Sequence, residues 1–364
     1  MGSVLAIGLM SGTSLDGIDA ALVETDGVGH VRPIAFRSDP YPEAVRAQLR
    51  AASARALQAR RPEPSATMTA AANVVTERHA TTVSALLLEA GVAAADVAVV
   101  GFHGQTVAHR PDRGWTWQIG DGAALAATLG IVVVDDFRSA DVAAGGQGAP
   151  LLPVYHAALC ARLPRPVAVL NLGGVGNLTW IGADGGLIAF DTGPANALID
   201  DWVRAEAGQS HDAGGALAAQ GRVDQTVLTN MLDTPWFDLP PPKSLDRDDF
   251  SMQPARGLSV VDGAATLTAF TAETVSLALR LVPQRPVRLF VAGGGRHNAT
   301  LMQMIAARVG MRAEPIEAMG WDGDATEAEG FAYMAVRTLA GLPISFPGTT
   351  GVPAAMAGGV IHRP

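Results

Sequence analysis

Two stretches of this chain share one pattern, and that pattern constrains the fold more than any other feature. Residues 4–24 and 167–190 each run from an apolar strand through a glycine-rich turn with polar side chains into a second strand. The later stretch adds the turn "ADGG" and a third strand. At 364 residues the chain also exceeds the size at which a single hydrophobic core stops growing. Together these features predict an α/β protein of two related lobes, residues 1–150 and 151–364, facing each other across a cleft. The Gly- and Pro-bearing stretch "AAGGQGAPLLP" (143–153) is the expected boundary, and the last helix and tail are free to pack back toward the first lobe.

Apolar residues at helical spacing predict helices over 43–60, 68–90, 257–282, 297–308 and 325–341. Short runs at 96–102, 116–119 and 131–135 read as strands, and the tail from Pro347 has no clear periodicity. No apolar run reaches the roughly 20 residues that span a bilayer, and the start lacks the basic and apolar regions of a signal peptide. A soluble, cytoplasmic protein without a membrane partner is expected. Cys160, the only cysteine, excludes an internal disulfide framework and reads as a buried structural thiol. A formal net charge of −9 argues against nucleic acid as a partner and favours a small molecule.

Three turns follow β-runs: "MSGTSLDG" (10–17), "NLGGVGN" (171–177) and "VAGGGRHN" (291–298). Glycines there let backbone N–H groups approach an anion without an obstructing Cβ. None matches a Walker or dinucleotide fingerprint, and each alone reads as a tight β-turn. Three of them, spread over both expected lobes, point to a phosphate site. Acidic residues stand beside two: Asp16 and Asp19 at the first, and Asp191 at a strand end in "AFDTGPAN". A carboxylate placed like Asp191 holds Mg²⁺ through water or acts as a general base; the competing reading is an Asx turn or a helix cap near Ala197.

The segment "GFHGQTVAHRP" brings His103, Gln105, His109 and Arg110 just beyond an apolar strand, which suits either a polyhydroxylated ligand or a structural role. The spacing of its two histidines, interrupted by glycine, is a poor metal geometry. Arg138 follows Asp135 and Asp136, so its guanidinium serves a substrate carboxylate or an internal ion pair. Glu327 shares a helical face with Phe331 and is either solvated or directed into the cleft.

Taken in order, "IGLMSGTSLDGIDAALV", "GFHGQTVAHRP", "WQIGDGAALA", "VDDFRSADVAAGGQGAPLLPVYH", "NLGGVGN", "FDTGPANALID", "PKS", "VAGGGRHNATLM" and "DGDATEAEGFAYMA" resemble the anhydro-N-acetylmuramic acid kinases from the N-terminus to the last helix. The resemblance implies membership of the acetate kinase, sugar kinase, Hsp70 and actin superfamily, with duplicated actin-like, ribonuclease H-like lobes and ATP in the cleft between them. It implies ATP and Mg²⁺ as cofactors, 1,6-anhydro-N-acetylmuramic acid as substrate, a role in peptidoglycan recycling, and a homodimer.

Carried onto this sequence, the resemblance puts the ATP phosphates at Gly12, Thr13, Ser14, Leu15, Asp16, Gly17, Ile18 and Asp19, with Gly173 and Gly174 across the cleft. Gly293, Gly294, Gly295 and Asn298 are expected near the adenosine, with Asn298 capping the next helix. Asp191 matches the catalytic aspartate, and Asp16 is expected to meet Mg²⁺ through water. For the sugar the expected contacts are Thr13, His103, Gln105, Arg138, Asp191 and Glu327, with Arg138 on the lactyl carboxylate. The run "PKSLDRDDF" departs from the family pattern after Lys243 and adds Asp246; Ala195 and Gly176 are small-for-small exchanges. Two rival readings remain open from the residues: a sugar or acetate kinase in which no water enters the product, and an actin-like module whose nucleotide state only switches its conformation.

Overall fold

The computed structural model describes residues 2–245 and 249–364. The chain divides into two compact units, Met1–Ala161 with Ala325–Pro364, and Arg162–Asp324. In chain order the first unit holds β1 (Val4–Ser11), β2 (Gly17–Thr25), β3 (Val31–Pro40), α1 (Glu43–Gln58), α2 (Ala66–Ala90), β4 (Val97–Arg110), β5 (Trp115–Ile119), α3 (Gly122–Leu129), β6 (Val133–Asp135), α4 (Ser139–Ala143) and α5 (Pro153–Leu159). The second holds β7 (Val167–Leu172), β8 (Val175–Ile181), β9 (Leu187–Pro194), α6 (Asn196–Ala207), α7 (Gln225–Leu232), α8 (Val260–Ala278), β10 (Arg288–Ala292), α9 (Ala299–Val309) and β11 (Ala313–Pro315). The chain then returns to the first unit with α10 (Thr326–Leu339) and β12 (Val360–His362).

The two sheets share one topology. In the first, the order is β12-β6-β4-β1-β2-β3, with β5 also on β4; in the second it is β11-β10-β7-β8-β9. Each begins as an antiparallel meander, β1-β2-β3 or β7-β8-β9. Each then adds parallel strands on the far side of the first strand, β4 and β6 or β10 and β11. The pattern repeated at 4–24 and 167–190 is thus the meander opening of two sheets built alike.

Local signals set several helix ends. Ser65 and Ser259 accept hydrogen bonds from Met68 and Asp262 at the starts of α2 and α8, and Gly91 ends α2 in the left-handed region. The expected short strand at 96–102 runs on to Arg110, because its further residues are buried and pair with β5. His103, Gln105 and His109 therefore stand within a strand, not beyond one.

The unit boundary falls after Ala161 rather than at 150. The stretch 143–153 is fastened within the first unit: the Asp141 carboxylate accepts from Gly148 N at 2.6 Å and from Thr350 Oγ1 at 2.5 Å. Beyond it, Tyr155 packs on Tyr333 of α10 and donates to Glu329 at 2.5 Å. Helix α10 belongs to this unit because β1 and β4 give it room. A Cβ at Gly8 would lie 1.8 Å from Ala328 O, and one at Gly101 2.1 Å from Phe331 O. The tail, unassigned from sequence, bridges at Ser345 and Met356 and ends as β12, antiparallel to β6. Cys160 is fully buried.

Candidate active site

In the first unit the β1–β2 connection is a tight turn, Leu15 N donating to Gly12 O at 3.1 Å with Leu15 at φ +61°. The side chains of Leu15 and Ile18 enter the core, whereas Thr13, Ser14 and Asp16 are exposed. Asp19 is half-buried on β2. A Cβ at Gly12 would make only an ordinary contact, with Ser14 Oγ at 3.5 Å. Gly17 differs: a Cβ there would lie 2.4 Å from Asp39 O, so the close passage of β3 explains that glycine.

Beneath the turn lies Gln105, which is fully buried. Its Oε1 accepts from Ser11 Oγ at 2.5 Å, and its Nε2 donates to Gly12 O at 3.1 Å and Thr106 O at 3.3 Å. Ser11 also meets Tyr41 Oη at 3.0 Å. With both ends of its amide bonded within the protein, Gln105 supports the turn.

His103 and Arg138 form a second cluster. The His103 Nδ1–H donates to Gly104 O at 2.9 Å, which leaves Nε2 as an acceptor for Arg138 Nε at 3.1 Å and Nη2 at 3.0 Å. Burial, and after it the Arg138 charge, holds the imidazole well below its usual pKa, so it is neutral. Arg138 Nη1 donates to Gly148 O at 2.8 Å. Burial lowers its pKa to about 10, against the favourable charges of Glu327 and Asp141, and it stays a cation at neutral pH. The ion pair with Asp135 or Asp136 considered from sequence is not formed. Asp135 bonds His362 Nε2 at 2.8 Å, and Asp136 accepts from Ser139 N at 3.4 Å. His103 lines a cavity of 240 Å³ with Gln118, Asp135, Asp136 and Ser139. His109 is structural, its Nδ1 at 2.9 Å from Thr116 Oγ1 and its Nε2–H donating to Gln147 O at 2.8 Å. Glu327 is half-buried in the first turn of α10.

In the second unit, Asp191 sits on β9 opposite Asn177 of β8. Asn177 Nδ2 donates to one carboxylate oxygen at 2.9 Å and Leu245 N donates to the other at 2.8 Å. Asp191 N donates to Lys243 O at 3.0 Å. Ala195, which precedes α6, makes no side-chain cap. A Cβ at Gly173 or Gly174 would make only an ordinary contact, with Val175 O at 3.6 Å or Ala197 Cβ at 3.8 Å, and their carbonyls accept from Asn196 N and Ala195 N.

Gly293, at φ +74°, and Gly295 are required by packing on Leu172 and its neighbours, while a Cβ at Gly294 would meet only Asn196 Nδ2, at 3.9 Å. Asn298 caps α9 by accepting from Leu301 N at 2.9 Å. Gly294, His297 and Asn298 line a cavity of 350 Å³ with Asn196, Asp200 and Asp212. Sequence reasoning missed Arg296, which braces this loop through Gly293 O at 3.0 Å, Glu317 at 2.7 Å and Asp324 at 2.9 Å. It also missed the bonds of 243–245 to Asp191. Asp246 lies outside the described residues.

Among the described residues no group of three His, Cys, Asp or Glu side chains can hold a metal ion, and no helix is long and apolar enough to cross a membrane. Asp16 remains as an exposed carboxylate at the turn, fit to meet the water shell of a metal brought by phosphates but not to hold one alone.

Two sheets of one topology, each opened by a glycine-turned meander, define the duplicated actin-like α/β fold. A solved structure of that fold, (R)-2-hydroxyglutaryl-CoA dehydratase component A from Acidaminococcus fermentans, superposes with a TM-score of 0.50 at 12% identity, covering 93% of this chain and 99% of that one. The family described as anhydro-N-acetylmuramic acid kinase matches residues 4–364. Proteins of that name from Rhizorhabdus wittichii and Zymomonas mobilis are 69% and 55% identical, over 100% and 99% of this chain and 100% of each relative. The chain belongs to the anhydro-N-acetylmuramic acid kinase family.

Proposed function

We propose that this chain opens 1,6-anhydro-N-acetylmuramic acid with water and transfers the ATP γ-phosphoryl group to O6, giving N-acetylmuramic acid 6-phosphate and ADP. Phosphorylation of the anhydro sugar in peptidoglycan recycling is the activity of the family. The observation that carries the hydrolytic step is Asp191, whose two carboxylate oxygens accept from the N–H groups of Asn177 and of Leu245.

In the anhydro sugar O6 is an ether oxygen and cannot attack phosphorus until the C1–O6 bond breaks. Asp191 takes a proton from water as the water oxygen bonds to C1, and the C1–O6 bond breaks toward O6, as at the base of an inverting glycosidase. O6 then bonds to the γ-phosphorus, and the bond to the ADP oxygen breaks. Capture of O6 by phosphorus removes the need for a second carboxylic acid to protonate it. Positioning and charge neutralisation supply most of the phosphoryl-transfer rate.

Thr13 and Ser14, with the backbone N–H groups of their turn, are assigned to the phosphates, as are Gly173 and Gly174. A Cβ at Gly12, Gly173, Gly174 or Gly294 would make no contact closer than 3.5 Å, so packing does not require these glycines, and the missing side chain supports close approach of a ligand to the backbone. Asp16 would hold Mg²⁺ through water, and the ion when bound neutralises charge on the phosphates. The 350 Å³ cavity beside Gly294 and Asn298 suits a nucleoside. Arg138, with its geometry fixed by His103, is assigned to the lactyl carboxylate, with Thr13 and Glu327 on the sugar. We further place the enzyme in the cytoplasm as a homodimer.

Running the reaction in ¹⁸O-labelled water tests this reading. Label at C1 of the product is expected, and unlabelled product would leave simple phosphoryl transfer. ADP release should be stimulated by anhydro-N-acetylmuramic acid above N-acetylmuramic acid or N-acetylglucosamine, whereas sugar-independent turnover would favour an actin-like switch.

A further inference from the structure

The segment that fixes Asp191 is itself anchored at one side chain. Lys243 Nζ donates to the carbonyls of Trp236 at 3.0 Å and Phe237 at 2.9 Å, and lies 4.3 Å from the centroid of the Trp236 ring. These carbonyls belong to a short 3-10 turn, Pro235–Asp238. Phe237 is buried, packing on Phe250 at 5.4 Å and on Phe270 of α8 at 5.9 Å, so the turn is rooted in a hydrophobic core. From the ammonium the chain passes directly to the catalytic carboxylate. The backbone carbonyl of Lys243 accepts from Asp191 N, and Leu245, two residues on, donates to Asp191 Oδ2. Leu245 itself is only half-buried, and no regular element holds residues 243–245.

We propose that Lys243 is a positioning residue for Asp191, its ammonium pinning residues 243–245 so that Leu245 N–H fixes one carboxylate oxygen and leaves the group aimed at the hydrolytic water. A charged donor with two carbonyl acceptors and an aromatic face makes a stronger anchor than a neutral side chain of the same length. A small rotation of a catalytic base is costly because proton transfer depends on its reach and angle. The proposal rests on Asp191 being the base.

The test compares Lys243→Met with Lys243→Arg in the full-length enzyme. In Lys243→Met, kcat is expected to fall about tenfold to a hundredfold while KM for ATP and for the anhydro sugar stays within about twofold. Amide hydrogen exchange at Leu245 and Asp191 should accelerate at least about tenfold in the same variant. Lys243→Arg keeps a charged donor for the two carbonyls and should restore most of kcat and of the protection. In an Asp191→Asn background, Lys243→Met should add nothing to the loss. Unchanged kcat, a loss confined to KM, unchanged exchange, or an equal further loss when Lys243→Met is combined with Asp191→Asn would each overturn the proposal. Near-normal turnover by Asp191→Asn alone would instead refute the base assignment, and the exchange rates would still decide whether Lys243 anchors the segment.

Discussion

Arg138 directs two guanidinium nitrogens, Nε at 3.1 Å and Nη2 at 3.0 Å, at the single Nε2 of His103. The imidazole can accept only because it is neutral and its proton is held on Nδ1 by Gly104 O. A half-buried cation is thus oriented by a neutral ring rather than neutralised by a carboxylate, which leaves its charge available to a ligand.

Arg138→Met should therefore raise KM for anhydro-N-acetylmuramic acid by about tenfold to a hundredfold, the range for a lost charged hydrogen bond. KM for ATP should not follow. With 1,6-anhydro-N-acetylglucosamine, which lacks the lactyl carboxylate, wild type and variant should converge. Steady-state kinetics with both sugars checks this, and an equal loss on both would remove the carboxylate assignment.

Asp191→Asn keeps the size of the side chain and removes the base. Product formation should fall by about a hundredfold to ten-thousandfold, the span of general-base catalysis, with ATP still bound. Turnover assays paired with nucleotide-binding calorimetry read the two effects separately; the base role is falsified if turnover remains near normal.

Acid should weaken the first unit through its buried histidines. Burial pushes His79, His109 and His156 each down to about 4 from the ordinary 6.5. Because the folded pKa values are depressed, the unfolded chain binds protons first. Their contribution is fully present above pH 6.5 and is lost as pH falls toward about 4. Within that window each imidazole costs about 1.4 kcal/mol per pH unit. Thermal unfolding followed between pH 7 and 4.5 should show a steepening loss, and a flat profile would contradict the neutral buried state.

Two glycine substitutions should behave in opposite ways. Gly8→Ala places a methyl group against the backbone of α10 and should destabilise the protein by about 3 kcal/mol. Gly12→Ala makes only an ordinary contact, with Ser14 Oγ at 3.5 Å, so its melting temperature should stay near that of the wild type while KM for ATP rises. Differential scanning calorimetry with nucleotide kinetics separates the two, and a large melting shift for Gly12→Ala would mean that the turn needs glycine for folding.

Local pattern made much of this molecule legible. Periodicity marked α1, α2, α8, α9 and α10 to within a few residues, and glycine placed after apolar runs marked the meander turns. The same local signals pointed to Asp191, because a carboxylate ending a strand before Gly-Pro is unusual enough to notice. Gln105 stands out in the polar group of "GFHGQTVAHRP", but its support of the turn is not legible there. Its polarity is visible in the sequence, whereas its burial beneath the β1–β2 turn depends on Ser11, 94 residues away.

The sequence by itself determined the duplicated meander, the α/β class, the family and the types of residue available for chemistry. These follow from short-range spacing of apolar residues, glycines and acids along one strand or helix. Only the tertiary structure decided what those residues touch. Arg138 meets His103 across 35 positions, Leu245 meets Asp191 across 54, and α10 joins the first sheet because Gly8 and Gly101 leave its backbone room. Hydrogen-bond partners and clashes are set by distances of a few ångström in space, and separation along the chain carries no record of them.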